Sequence, residues 1–285
     1  MGRYKKTNRV AILGIIANIL LLVLKLVTGV ISRSQAMIAD GFNSAGDVFA
    51  SIMTYLGNRI ASQPQDQDHP YGHGKAEYIF SMIISFSLLI VTYEIFKRSL
   101  ESIIKKDSFI FSWWLVGVAL ITIIIKTALW LYTHKAGKEW DNLLIVANSE
   151  DHRNDILVTI STLLGIMLGA KGLYWIDGLV GIGISIWIGY TGICIFLSAY
   201  NVLMDTNIDA EYMKRLIKDI ECIHGVYNVD DINAKPIGVS FIIIIKVSVE
   251  RTLTVEQGHA IASQIKHRVK EYKNVGDVVV HVNPA

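Results

Sequence analysis

Two pairs of polar residues, each pair four positions apart, stand inside apolar surroundings. Asn43 and Asp47 belong to the segment ADGFNSAGDVFAS, and Asp151 and Asp155 belong to NSEDHRND. Residues four apart project from the same face of a helix, about one turn from each other. If the two helices face one another, three carboxylates and one amide offer four oxygen ligands. That donor set is suited to a divalent cation.

The segment NSEDHRND, residues 148–155, allows two interpretations. It could be a loop before a membrane span that begins at Ile156, or part of one helix that begins at Leu143. The segment contains no proline or glycine, and the matching pair in the earlier segment favours the helix. Asp151 and Asp155 would then face the ion. The other charged residues are expected on different faces, paired with each other or with water: Glu150, His152 and Arg153, with Glu150 and Arg153 spaced to neutralise one another.

The depth of these acids in the membrane agrees with a shared site. At about 1.5 Å of rise per residue, Asp47 lies about 16 Å below the outer start of its span, and Asp151 about 12 Å above the inner start of its own. Each bare carboxylate there costs about 2.5 kcal/mol or more on insertion scales. Three together need a divalent cation or bound protons to offset their charge.

A second candidate site lies in the segment DQDHPYGHGKAEY. Asp66, His69 and His73 combine a carboxylate with two imidazoles, which are common metal ligands. Gly72 and Gly74 favour a tight turn that could bring the two imidazoles together. A solvated turn without metal explains the same residues, so both interpretations stay open.

Composition and length place these residues in a membrane protein. The chain has 285 residues, of which 52% are hydrophobic and 18% charged. Six segments are long enough to cross a hydrocarbon layer of about 30 Å. The predicted spans are Val10–Ile31, Ala36–Ile60, Ala76–Phe96, Ile110–Tyr132, Leu143–Ala170 and Tyr174–Leu197. The net charge of +2 gives no indication of a nucleic-acid partner, and the two cysteines are too far apart in sequence to form a Cys-x-x-Cys motif.

The residues after the sixth span have the patterns of a small α+β domain. Their order predicts helix, strand, strand, helix and strand, with Asp209 as the N-cap of the first helix. The predicted organisation is therefore a six-helix transmembrane domain at 1–206 and a C-terminal domain at 207–285. Three residues of the second domain are candidate metal ligands, although each alone is more typical of a surface or structural residue: Asp230, His259 and His281.

Lysine and arginine residues predict that both termini are cytoplasmic. The N-terminal tail, the loop between spans four and five and the C-terminal domain, which carries ten lysines and arginines, fall on one side of a six-span protein. The loop between spans three and four disagrees, because its four basic residues would face outside: Lys97, Arg98, Lys105 and Lys106.

Taken together, these features resemble the cation diffusion facilitator family of divalent-metal/proton antiporters. The resemblance rests on the two polar pairs, on HPYGHGKAE and on the tail domain, and it covers almost the whole chain. It implies a six-helix membrane domain, a cytoplasmic ferredoxin-like tail, a homodimer and export of metal from the cytoplasm. By position it implies these roles: Asn43, Asp47, Asp151 and Asp155 as the transport site; Asp66, His69 and His73 as a loop site; Asp230, His259 and His281 as tail ligands; Lys75 and Asp205 as a charge interlock.

Departures from the zinc-type members of that family indicate manganese. Those members place a histidine in the transport site, whereas Asp151 stands there in this chain and Asn43 takes an acid's or histidine's place. An all-oxygen site suits harder ions than zinc. Lys246 and Asn283 replace a histidine and an acid in the tail, and a lysine would oppose a second cation there.

The expected function is thus export of Mn²⁺ across the plasma or inner membrane, with protons as counter-ion and no organic cofactor. Zn²⁺, Fe²⁺, Co²⁺ or Cd²⁺ are alternative substrates. Two other classes stay open: a transporter of another solute that uses the acids only as a proton relay, and a membrane-anchored metal sensor. An enzyme is disfavoured because the loop histidines have no nucleophile or clear acid–base partner beside them.

Overall fold

Long apolar stretches form the first part of the chain as a series of helices. The computed structural model describes residues 2–31, 35–105, 113–169 and 174–285. Six long helices precede the C-terminal domain: α1 (Gly2–Ile31), α2 (Gln35–Ala61), α3 (Ala76–Lys105), α4 (Trp113–Glu139), α5 (Leu143–Gly169) and α6 (Tyr174–Leu203). All six predicted spans therefore lie on helices. The predicted start of the fourth span at Ile110 and the predicted end of the fifth span at Ala170 lie outside the described residues.

Four of these helices are apolar enough to cross a membrane by themselves. The candidate spans are Thr7–Thr28, Ala76–Glu101, Val116–Glu139 and Gly181–Leu203, on α1, α3, α4 and α6. Large apolar side chains are exposed along them, such as Ile16, Ile90 and Ile124. Such surfaces are suited to contact with lipid, because lipid tails are as apolar as these side chains. Within the described residues, α2 and α5 are not among these candidate spans, and both carry acidic residues within their apolar sequence.

Polar side chains inside the helical unit bond to each other. The amide nitrogen of Asn18 on α1 donates to the backbone oxygen of Asp47 at 3.2 Å and to Oγ of Ser51 at 2.9 Å, both on α2. Lys25 on α1 donates to Oγ of Ser44 at 3.0 Å. Hydrocarbon cannot hydrogen-bond to buried polar groups, so helices that carry them must pack where partners exist.

The helix α5 runs without a break through residues 148–155. Its first turn is held at both sides: Oδ1 of Asn142 accepts from the backbone N–H of Ile145 at 3.0 Å, and Oε1 of Glu77 on α3 accepts from that of Leu143 at 3.0 Å. These contacts satisfy amide groups that a helix start leaves open. The helix interpretation of NSEDHRND is therefore confirmed, and the loop interpretation is wrong.

The C-terminal residues form an α+β domain in the predicted order. It consists of α7 (Ala210–Glu221), β1 (Val226–Pro236), β2 (Phe241–Val249), α8 (Val255–Lys270) and β3 (Val275–Pro284). The strand β1 pairs antiparallel with β2, and β2 pairs parallel with β3. Asp209 caps α7 by accepting from the backbone N–H groups of Glu211 and Tyr212, as predicted. The apolar face of α8 is buried in the core: Ile261, Ile265 and Val269.

Two compact units account for the whole chain. The first comprises Met1–Gln63 and Ala76–Tyr200, and the second comprises Pro64–Lys75 and Asn201–Ala285. The short segment 64–75, between α2 and α3 in sequence, thus packs with the C-terminal domain.

A glycine on α2 provides a test of the packing around α5. A Cβ atom at Gly57 would lie 2.6 Å from Cβ of Phe80 on α3 and 2.8 Å from Cδ2 of Leu144 on α5. We expect Gly57→Ala to destabilise the protein by about 1–3 kcal/mol, the usual cost of overpacking. The thermal unfolding temperature of the full-length protein in detergent should fall by several degrees.

Gly183 on α6 is the matched control, because a Cβ there would meet no atom within 4 Å. Gly183→Ala should leave the unfolding temperature unchanged or raise it slightly, since alanine favours helix. Equal unfolding temperatures for both variants would contradict the close packing at Gly57.

Candidate metal centre

Two predicted transport-site acids from different helices meet at one point. Oδ2 of Asp47 on α2 and Oδ2 of Asp155 on α5 both accept from Nζ of Lys126 on α4, at 2.8 Å and 2.5 Å. The Lys126 side chain is completely buried, and Asp47 is 5% exposed. The convergence of α2 and α5 that the two polar pairs predicted is therefore present for these two carboxylates.

Of the other two predicted members of the site, the structure describes the side chain of Asp151 but not that of Asn43. Asp151 is buried on α5, and its Oδ2 has no hydrogen-bond partner among the described residues. Ligand atoms of Asp151, His152 and Asp155 lie within 4.8 Å of one another. Asn43 lies on α2, but its side chain is outside the described residues. The structure thus brings Asp47, Asp151 and Asp155 together around the α2–α4–α5 contact.

His152 has a different place from the one the sequence indicated. The helix spacing put it on another face, paired with a neighbour or water, yet its ring belongs to the same ligand group as Asp151 and Asp155. It is 0% exposed, and neither ring nitrogen has a hydrogen-bond partner in the described part of the chain. An imidazole nitrogen without a partner is free to bind a cation. The centre therefore offers a nitrogen donor beside its carboxylates.

The remaining charges of NSEDHRND, Glu150 and Arg153, form a pair with each other. Arg153 makes an ion pair with Glu150, three residues earlier, as the spacing predicted. The Arg153 guanidinium also donates to Oγ1 of Thr191 at 3.1 Å and lies 5.7 Å from the ring centroid of Trp187, both on α6. These contacts attach α5 to α6 and keep both charges paired.

Lys126 also belongs to the centre, although it was not predicted from the sequence. It lies within the apolar run ALITIIIKTALWLY of α4. An ionisable residue inside a membrane span is by itself a sign of function, because burying an unpaired charge there is costly. That signal was present in the sequence, but spacing alone could not show that α4 reaches Asp47 and Asp155.

The loop residues predicted as a second site also come together. Ligand atoms of Asp66, His69 and His73 lie within 4.8 Å of one another, and the two imidazole centroids are 4.3 Å apart. Gly72 has a φ of 79°, which supports the predicted turn. The backbone N–H of His69 donates to Asp66 at 2.6 Å and lowers the pKa of that exposed carboxyl below its ordinary value, so the carboxylate form is favoured.

Asp205 joins the segment 64–75 to the C-terminal domain. Its carboxylate accepts from Nζ of Lys75 at 2.5 Å and lies 3.4 Å from Nζ of Lys235 on β1, so the expected pair of Lys75 and Asp205 is present and has a third member. The backbones approach closely nearby: a Cβ at Gly74 would lie 3.1 Å from Cα of Gly238. The second unit therefore holds the loop by both charge and shape.

The three tail candidates do not form a ligand group within one chain. Asp230 on β1 accepts from Nδ2 of Asn283 and from Oγ of Ser248, at 3.0 Å and 2.8 Å, and these bonds lower the pKa of the Asp230 carboxyl. His281 lies on β3 and His259 on α8. The described residues contain only two groups of three metal-ligating side chains, and neither includes these residues.

Comparison with known proteins adds the family. Residues 11–204 match the cation efflux transmembrane domain, and residues 208–285 match the cytoplasmic domain of cation efflux proteins. The manganese efflux system protein MneP of Bacillus subtilis is 32% identical over 99% of this chain and 97% of its own length. MneS of the same organism is 32% identical over 100% of this chain and 99% of its own. The magnetosome protein MamM of Magnetospirillum gryphiswaldense is 30% identical over 90% and 81%.

The contact of Lys75 with Asp205 can be tested by amide hydrogen exchange. We expect Lys75→Met to lower the protection of residues 64–75 by about two- to fivefold, since a partly exposed ion pair contributes at most about 1 kcal/mol. Lys235→Met is the matched control and should have a smaller effect, because its nitrogen lies 3.4 Å from Asp205 instead of 2.5 Å.

The same contact has a defined pH dependence. The pKa of Asp205 lies below its ordinary value, mainly because Lys75 donates to it. Its contribution to stability is complete above the ordinary carboxyl pKa of about 3.9 and is lost as the pH falls through the lowered value. A loss of protection that begins well above pH 4 would contradict this origin.

Proposed function

The chain belongs to the cation efflux family, and we propose that it exports Mn²⁺ from the cytoplasm in exchange for protons. Members of this family are membrane transporters of metal ions and not enzymes. The ion is held by Asp47, Asp151 and Asp155, with Asn43 as the fourth oxygen ligand. The observation that carries the proposal is the buried convergence of Asp47 and Asp155 from two helices.

Manganese is favoured by the donor atoms and by the relatives. Carboxylate and amide oxygens suit Mn²⁺ better than they suit Zn²⁺, for which imidazole and thiolate are better ligands. Two of the similar proteins are named manganese efflux system proteins. The imidazole of His152 is the one donor nearby that would also suit Zn²⁺, Fe²⁺ or Co²⁺.

Exchange with protons follows from crowding of like charge. Three carboxylates in a medium of low dielectric repel one another, and the single charge of Lys126 offsets only part of this repulsion, so a divalent ion or protons relieve the rest. An ion bound from the cytoplasm would displace protons, and protons from the other side would displace the ion. Binding alone moves nothing across a membrane, so the protein must alternate between two states that expose the site to either side.

The remaining roles follow from the family and the second unit. We propose a homodimer in the plasma or inner membrane, with both termini and the C-terminal domain in the cytoplasm. The triad of Asp66, His69 and His73 is a secondary metal site on the loop. Asp230, His259 and His281 are proposed as tail ligands shared between protomers, because one chain does not bring them together.

Removal of a transport-site acid should strongly lower Mn²⁺ flux. We expect Asp47→Ala and Asp155→Ala each to lower Mn²⁺ transport by about tenfold or more. Even the replacement of a residue that only contacts a metal ligand typically lowers metal affinity or activity by about 10- to 100-fold. The measurement is Mn²⁺ uptake into proteoliposomes under an imposed pH gradient.

Glu139→Ala removes an exposed carboxylate at the end of α4 and serves as the control. Its flux should equal that of the unaltered protein. Undiminished flux in Asp47→Ala and Asp155→Ala would refute the site, and absence of pH-driven flux in the unaltered protein would favour a sensor.

A single ligand exchange should change the preferred metal. Asp151→His replaces an oxygen donor by an imidazole, so the ratio of Zn²⁺ to Mn²⁺ flux should rise by about tenfold. The two fluxes are compared in the same preparation, which cancels differences in protein amount. An unchanged ratio would count against the argument from donor atoms.

A further inference from the structure

We propose that Lys126 is a tethered counter-ion of the transport site, whose ammonium group occupies the place between Asp47 and Asp155 that the transported cation takes. Entry of the cation requires Lys126 to withdraw from both carboxylates, and its return assists release. This inference rests on the proposed function, in which these carboxylates hold the ion.

The geometry of Lys126 is that of a cation in a ligand cage. Its Nζ lies 2.8 Å from Oδ2 of Asp47 and 2.5 Å from Oδ2 of Asp155, and the side chain is 0% exposed. It approaches from α4, whereas the carboxylates come from α2 and α5. An ammonium group between the two carboxylates repels a divalent ion that approaches the same oxygens, so the ammonium and the metal compete for them.

The choice of lysine supports displacement over permanent bracing. An ammonium group is a point charge on a flexible four-carbon stem, whereas the guanidinium of arginine is a planar fork that holds carboxylates more rigidly. Lysine can therefore leave two carboxylates and return to them. In addition, buried ion pairs are often no more stabilising than apolar side chains of similar volume, so stability alone does not explain the lysine.

Competition by an internal cation has a use in transport. A site must bind its ion well enough to admit it and weakly enough to let it leave. Asp47, Asp151 and Asp155 without a counter-ion would bind a divalent ion strongly and release it slowly. An ammonium group that returns to Asp47 and Asp155 as the ion departs lowers the affinity and leaves no buried carboxylate pair uncompensated.

The experiment is calorimetric titration of the full-length protein in detergent with Mn²⁺. We expect Lys126→Met, which removes the competing charge, to bind Mn²⁺ more tightly by about tenfold or more, the lower end of what close charge pairs contribute. Lys126→Arg, which keeps the charge and holds the carboxylates more rigidly, should bind more weakly by about tenfold or more. Lys135→Met makes the same chemical change at an exposed position of α4 and should bind like the unaltered protein.

Affinities that differ from these expectations would mean that Lys126 only holds α2, α4 and α5 together. If Lys126→Arg binds like the unaltered protein, or if Lys126→Met binds no more tightly, the tethered counter-ion is refuted. If Lys126→Met does not give a monodisperse protein, the affinity of Lys126→Arg is the test: weaker Mn²⁺ binding supports the tethered counter-ion, and unaltered binding refutes it.

Asp47→Ala in the same titration separates this inference from the proposed function. Lost binding there supports the site, so an unaltered affinity in Lys126→Met then refutes only the role of Lys126. An unchanged number of Mn²⁺ ions bound per chain in Asp47→Ala refutes both, whereas binding that remains only at the proposed loop site does not.

Discussion

The pairing of one buried ammonium group with two buried carboxylates is the constraint on which the membrane unit depends. At an effective dielectric constant of about 20, unit charges 4 Å apart interact by about 4 kcal/mol, whereas an isolated buried charge loses more than this in hydration. In their ionised form, Asp47 and Asp155 can therefore lie inside only where a cation meets them. Lys126 supplies that cation from α4, so the acids of α2 and α5 and the lysine of α4 must meet.

The same constraint explains how polar and apolar residues are distributed over the six helices. Several polar groups make contacts between helices: the buried Asn18 bonds to α2, and the half-buried Arg153 bonds to α6. Large apolar side chains lie outside on the four most hydrophobic helices. The C-terminal unit has the opposite arrangement, as water-soluble domains do: its apolar side chains lie inside, with Ile243, Ile245 and Ile265 in the core. In that unit an exposed acid, Asp205, binds the loop segment to the domain through two lysines.

Much of the fold could be predicted because it depends on local patterns. The lengths of apolar runs identified six helices, and alternation identified three strands, with Asp209 at a helix start. The spacing of Glu150 and Arg153 predicted their ion pair, since residues three apart on a helix are neighbours. Helices also extend beyond the predicted spans: α1 begins at Gly2, ahead of the span predicted from Val10, because polar residues can continue a helix without an apolar signal.

The sequence by itself determined that Asp151 and Asp155 share one helix face and that carboxylates stand within membrane spans, because both follow from helical periodicity and hydrophobicity. Only the tertiary structure decided which charge meets them. It placed Lys126 between Asp47 and Asp155, His152 among the candidate ligands and the segment 64–75 with the C-terminal domain. These contacts join residues far apart in the chain, and their energy depends on the distance and burial of charges, which no local pattern encodes.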